Sequence, residues 1–88
     1  MEYNIREQID TWHKKLHYYE QKEARLRERI EKIEALRENV DKLPVGSPKV
    51  DRFYRSLANL YTQLATLPAK ISHCKDNIST LECEQLWN

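Results

Sequence analysis

Apolar residues recur through the first half of this chain at Ile5, Ile9, Trp12, Leu16, Tyr19, Leu26, Ile30, Ile33 and Val40. The steps alternate four and three, interrupted by the polar Glu23 and by a slip where Leu36 sits beside Arg37. A spacing that averages 3.5 residues over about five repeats predicts a long helix with one seam, the pattern of a coiled coil. Asn4 followed three residues on by Glu7 has the form of a capping box, so the helix is expected to start near Asn4 and run to about Lys42. Its outer face places Glu23 with Arg27, Arg27 with Glu31 and Glu28 with Lys32 at i,i+4, the spacing that supports an exposed helix.

After a turn at 43–47, a second stripe follows: Val50, Phe53, Leu57, Leu60, Leu64, Leu67, Ile71, Cys74, Ile78 and Leu81. Its threes and fours alternate without a fault. Gly46 suits the turn, Ser47 an N-cap and Pro48 the first helical position, where its missing N–H costs nothing. This helix is expected from about 48 to 86. Pro68 stands inside it, and an interior proline costs a helix about 3 kcal/mol. The heptad phase nevertheless passes through Pro68 unchanged. Two readings stand: one kinked helix, or a tight break with Thr66 capping the restart. The expected fold is therefore all-α, one domain over 1–88. It is an antiparallel coiled-coil helical hairpin whose second arm is kinked or broken at Pro68, with a three-helix arrangement as the variant.

Composition narrows the classes. One glycine, three prolines and 33% charged residues exclude a turn-rich all-β fold and a doubly wound α/β fold. A net charge of +1 calls for neither nucleic acid nor an anionic membrane. No apolar run approaches the roughly 20 residues of a membrane span, and MEYNIREQID has no signal-like apolar stretch, so the expected location is cytoplasmic. Cys74 and Cys83 lie about 13 Å apart along one helix, too far to pair, and read as reduced thiols.

With the turn near Val45, facing residue numbers add to roughly 90, which sets Leu36 near Tyr54 and Arg29 near Tyr61. Leu36, Tyr54 and Tyr61 flank the seam and widen the apolar face near the turn. Two strands bury only a narrow stripe, and a wider one wants further helices. The expectation is a homodimer or four-helix bundle, or docking on a partner protein, through Leu36, Tyr54, Tyr61, Lys49, Arg52 and Arg55. Trp87 is expected to be pinned against the Tyr3–Ile5 end of the other arm, the alternative being an exposed anchor.

Other chemistry is thinly supported. His13 and His17, four apart and expected opposite Asn77 and His73, form with Cys74 the one metal-compatible neighbourhood. Cys74 lies on the seam, however, and the two histidines lie off it, so no metal or cofactor is assigned. Cys83 stands between Glu82 and Glu84, whereas a nucleophilic thiol is expected beside positive charge. An enzyme is not expected. Lys42, Lys49, Arg52 and Arg55 gather around Tyr54, a composition that can hold phosphate and stack a base. Asp41 and Asp51 dilute that cluster, and the first arm carries as many acidic as basic residues. Nucleic acid is therefore the lesser alternative partner.

The stretch LPVGSPKVDRFYRSLANLYTQLATLPAKI resembles the charged helical hairpin of phage-encoded RinA/ArpU-type transcriptional regulators, across about residues 20 to 82. Those regulators continue into a helix-turn-helix region, whereas this sequence ends at CEQLWN, so no DNA-contacting residue carries over. The resemblance implies a phage origin and a coiled coil serving assembly or docking. In that setting a small helical protein either acts as an assembly or regulatory subunit or binds and blocks a host protein, as anti-defence and anti-CRISPR proteins do.

Overall fold

Asn4 begins the first helix: its Oδ1 accepts the Glu7 N–H at 3.2 Å and its carbonyl accepts the Gln8 N–H at 3.2 Å. The computed structural model describes residues 4–87. Its helices, in chain order, are α1 (Ile5–Glu34), α2 (Arg37–Asp41) and α3 (Pro48–Trp87), and α1 and α3 pack against each other as an antiparallel helical hairpin. No described helix is long and apolar enough to cross a membrane. Two of the three expected i,i+4 pairs close within 4 Å, Glu23–Arg27 at 3.6 Å and Glu28–Lys32 at 3.2 Å. Glu28 and Lys32 are exposed and Glu23 is half-buried beside an exposed Arg27, so both pairs add little stability.

The first arm is two helices rather than one helix to Lys42. At Ala35 and Leu36 the spiral tightens: the Leu36 N–H donates to Ile33 three residues back, and α2 restarts with the Val40 N–H on the Leu36 carbonyl at 3.0 Å. The heptad stripe offers the seam Arg37 at this point, and an arginine cannot be buried there unpaired. Arg37 instead turns to Glu34 and to the rings of α3. Leu36 is left 52% exposed.

The turn is chemically determined. The Ser47 N–H donates to the Pro44 carbonyl at 3.1 Å, and Gly46, third of the four residues, has φ +87°. That position of a type II turn requires the left-handed region, which glycine enters freely. Space is not the constraint, because nothing lies within 4 Å of where a Cβ would stand. The Ser47 carbonyl then accepts the Val50 N–H at 3.1 Å, starting α3 with Pro48 in its first turn.

Helix α3 runs unbroken from Pro48 to Trp87 with Pro68 inside it. The tight break is therefore excluded. The third helix comes from the first arm, not from the second. Pro68 lies on the exposed face, where water can reach the Leu64 carbonyl that its ring deprives of a donor. One residue away, about 100° around the helix, Leu67 is 1% exposed. The Thr66 hydroxyl donates to the Gln63 carbonyl at 2.8 Å, adding a bond within the same turn. Local proline cost is thus outweighed by the buried stripe on either side.

The described chain forms two compact units, one from the two chain ends (Met1–Lys22 with Leu67–Asn88) and one from Glu23–Thr66. In the Glu23–Thr66 unit the buried core is Leu26 and Ile30 against Phe53, Leu57 and Leu60; in the terminal unit it is Ile9 against Leu67, Cys74, Ile78 and Leu81. The first arm contributes less. Trp12, Leu16, Tyr19, Ile33 and Val40 are only half-buried, although all lie on the predicted seam.

Candidate protein-binding surfaces

In the Glu23–Thr66 unit, a polar clasp surrounds the junction between α1 and α2. Arg37 donates through Nε and an Nη to the two carboxylate oxygens of Glu34, at 2.7 and 2.8 Å. Such a paired fork fixes direction as well as distance. The Tyr61 hydroxyl donates to Glu34 Oε1 at 3.1 Å, and the Tyr54 hydroxyl donates to Asp41 Oδ1 at 2.8 Å. The Arg37 guanidinium carbon also lies 5.8 Å from the centre of the Phe53 ring and 5.7 Å from that of Tyr54, within cation–π range.

The charges respond to these contacts. The Arg37 hydrogen bonds hold the Glu34 carboxyl below its usual range, and the Glu34 bond holds Arg37 more firmly protonated. The bond to Asp41 raises the Tyr54 phenol and that to Glu34 raises the Tyr61 phenol, because each carboxylate favours the protonated donor.

The tyrosine hydroxyls find partners other than those that pairing by residue number set opposite them. Tyr54 meets Asp41 rather than Leu36, and Tyr61 meets Glu34 rather than Arg29. Helical side chains lean toward their own N-terminus. A long phenol on α3 therefore reaches toward the turn and meets a residue several positions nearer to it. The hydroxyls are engaged, yet Tyr54 remains 42% and Tyr61 47% exposed. Lys49, Arg52 and Arg55 are exposed and form no ion pair among the described residues. Glu34, Arg37 and Asp41 were not singled out from sequence. The i,i+3 spacing of Glu34 and Arg37 was the available signal.

The terminal unit carries a second surface, a hollow of about 430 Å³ with Trp12, Lys15 and Tyr19 on α1 and Lys70 and His73 on α3. The Trp12 and His73 rings meet edge to face at 5.5 Å. Lys15 Nζ sits 4.4 Å from the Trp12 ring centre, and Lys70 Nζ 5.6 Å from that of Tyr19. Asn77 donates to the His73 carbonyl at 2.9 Å and lies 3.1 Å from its Nε2.

The histidines are not gathered as the sequence suggested. Trp12, not His17, faces His73; His13 and His17 are exposed, and Cys74 is buried in the core. Among the described residues no group of three His, Cys, Asp or Glu side chains could hold a metal ion. Trp87 is 89% exposed rather than pinned; Tyr3, named as part of its expected cover, lies outside the described residues. Comparison with protein-family models, curated proteins and solved structures finds no match to this chain.

Proposed function

We propose that this chain is a non-enzymatic protein-binding module whose turn-end surface, Leu36 with Tyr54 and Tyr61, engages a partner protein. One observation carries the reading: both tyrosines are tethered by their hydroxyls while nearly half of each ring stays uncovered. An aromatic already held in place loses little conformational freedom on binding, and tyrosine is enriched among the residues that dominate interface energies. Leu36, left exposed at the α1–α2 junction, adds apolar area in the same unit. The module acts by occupying or bridging its partner. The phage resemblance adds a setting in which that partner is a host protein and binding blocks it.

Lys49, Arg52 and Arg55, exposed and without ion pairs among the described residues, favour a second reading in which the same end holds phosphate. One experiment separates the two. A photo-crosslinking amino acid replaces Leu36, and in a control Lys32, and adducts formed in a bacterial lysate are identified by mass spectrometry. The protein reading expects one protein adduct specific to position 36. That adduct is lost with Tyr54→Ala plus Tyr61→Ala and kept with Arg52→Glu plus Arg55→Glu, with circular dichroism confirming helicity. Loss on the arginine reversal with survival of the tyrosine change would instead support the phosphate reading.

A further inference from the structure

The face of α3 in the terminal unit is self-complementary in charge, and we propose that it is where two copies of this chain dimerise. Lys70, His73, Asn77, Thr80, Glu84 and Trp87 follow one another at steps of three and four, so they share one face of α3. One end of that face is the hollow with Lys15 and Lys70; the other bears Glu84 and Trp87, which line a second hollow with Thr80 and Cys83. Neither Lys15, Lys70 nor Glu84 forms an ion pair among the described residues. The lysines rest instead over the Trp12 and Tyr19 rings, whose sides are only half covered.

The spacing determines the occupant. Lys70 and Glu84 stand two heptads apart with Asn77 midway between them. A second copy laid antiparallel, with its two-fold axis at Asn77, brings Glu84 of each chain against Lys70 of the other. Both pairs form in one register, about 10.5 Å on either side of the axis at 1.5 Å per residue. A two-fold interface requires a patch of this kind, which is its own complement. Trp87 then reaches past the Lys70 level of the second copy, to the Tyr19 edge of its hollow. A parallel copy would instead set Lys70 on Lys70 and Glu84 on Glu84, a like-charge arrangement that excludes it.

The overlap is large enough. From Leu67 to Trp87 α3 extends about 30 Å, and two helices side by side are about 20 Å wide. A contact that takes in α1 (Trp12, Lys15, Tyr19) as well as α3 can therefore cover up to about 600 Å² on each copy, and about 1,200 Å² in total is the lower end of stable interfaces. This contact lies in the terminal unit and leaves Leu36, Tyr54 and Tyr61 free, so its test is independent of the turn-end reading.

The test is a charge exchange read by sedimentation equilibrium between about 1 and 100 μM. The unaltered chain is expected to be a dimer in that range. Lys70→Glu and Glu84→Lys should each weaken the dimer at least tenfold. The double variant K70E/E84K should return it to within about threefold, because the pair is restored with its sign reversed. In a Cys83→Ser background, Asn77→Cys should form a disulfide-linked dimer on mild oxidation. Circular dichroism of each variant shows that its helices are intact. A monomer at 100 μM, single reversals that dimerise as tightly as the unaltered chain, or a double variant no tighter than either single would each overturn the proposal.

Discussion

Replacing Pro68 by alanine should make this protein more stable. In a regular helix interior proline costs about 3 kcal/mol relative to alanine, through one missing hydrogen bond and a clash with the carbonyl four residues back. Here that carbonyl belongs to Leu64, and α3 continues through the site. The position is exposed, so solvation of the Leu64 carbonyl recovers part of the lost bond. Proline also restricts the unfolded chain, an advantage of about 0.4–1 kcal/mol that alanine gives up. A gain of about 2 kcal/mol remains, equivalent to a rise in Tm of about 8–16 °C for a domain of this size. Urea unfolding followed by circular dichroism at 222 nm, at one fixed protein concentration, measures it. A midpoint that is unchanged or lower, with native helicity retained, would refute the idea that Pro68 sits in α3 against its own preference.

Other substitutions test the packing and the clasp. Leu67→Ala removes a side chain that is 1% exposed and should cost about 2–4 kcal/mol, whereas Leu86→Ala, at a residue 84% exposed, should stay within about 0.5 kcal/mol. Equal urea midpoints for the two would refute the assigned core. Glu34→Gln tests the clasp through pH. The Glu34 pKa is lowered by the Arg37 bonds, so its stabilisation is complete above the ordinary carboxylate value and disappears as pH falls through the lower folded value. The variant should be less stable at pH 7 and converge on the unaltered chain as pH falls through the lowered Glu34 value, where both side chains become neutral. The phenols of Tyr54 and Tyr61 behave oppositely: their folded values are raised, so their contribution holds below about pH 10 and is lost as pH climbs through the folded values. A Glu34→Gln deficit that does not shrink as pH is lowered over the range in which the chain stays folded would contradict the Glu34–Arg37–Tyr61 connection.

Much of the architecture was legible from local chemistry. Both stripes, the Asn4 start, the Gly46 turn and the Ser47–Pro48 entry depend on residues within a few positions of one another, and periodicity and capping report such features directly. Two features were not. The gap between α1 and α2 depends on Arg37, whose Glu34 partner lies one helical turn back but whose approach to the Phe53 and Tyr54 rings crosses the turn, a contact that neither periodicity nor capping reports. The passage of α3 through Pro68 was left open between kink and break, because the deciding term is burial of Leu67 and its seam neighbours against the other arm.

The candidate surfaces divide in the same way. Sequence pattern singled out Leu36, Tyr54 and Tyr61 as flanking the seam, and all three are exposed. It misplaced the tyrosines' partners because pairing by residue number ignores the lean of a long side chain along its helix. The hollow around Trp12, Lys15, Tyr19 and Lys70 has no signature in the stripe, where Trp12 and Tyr19 occupy ordinary seam positions. The linear order of residues determined that there would be two amphipathic arms and a turn, because period and caps are local properties. Only the packing of one arm on the other decided where the helices stop, what holds the tyrosines and which apolar rings remain uncovered, because each of these is set by contacts between residues far apart in the chain.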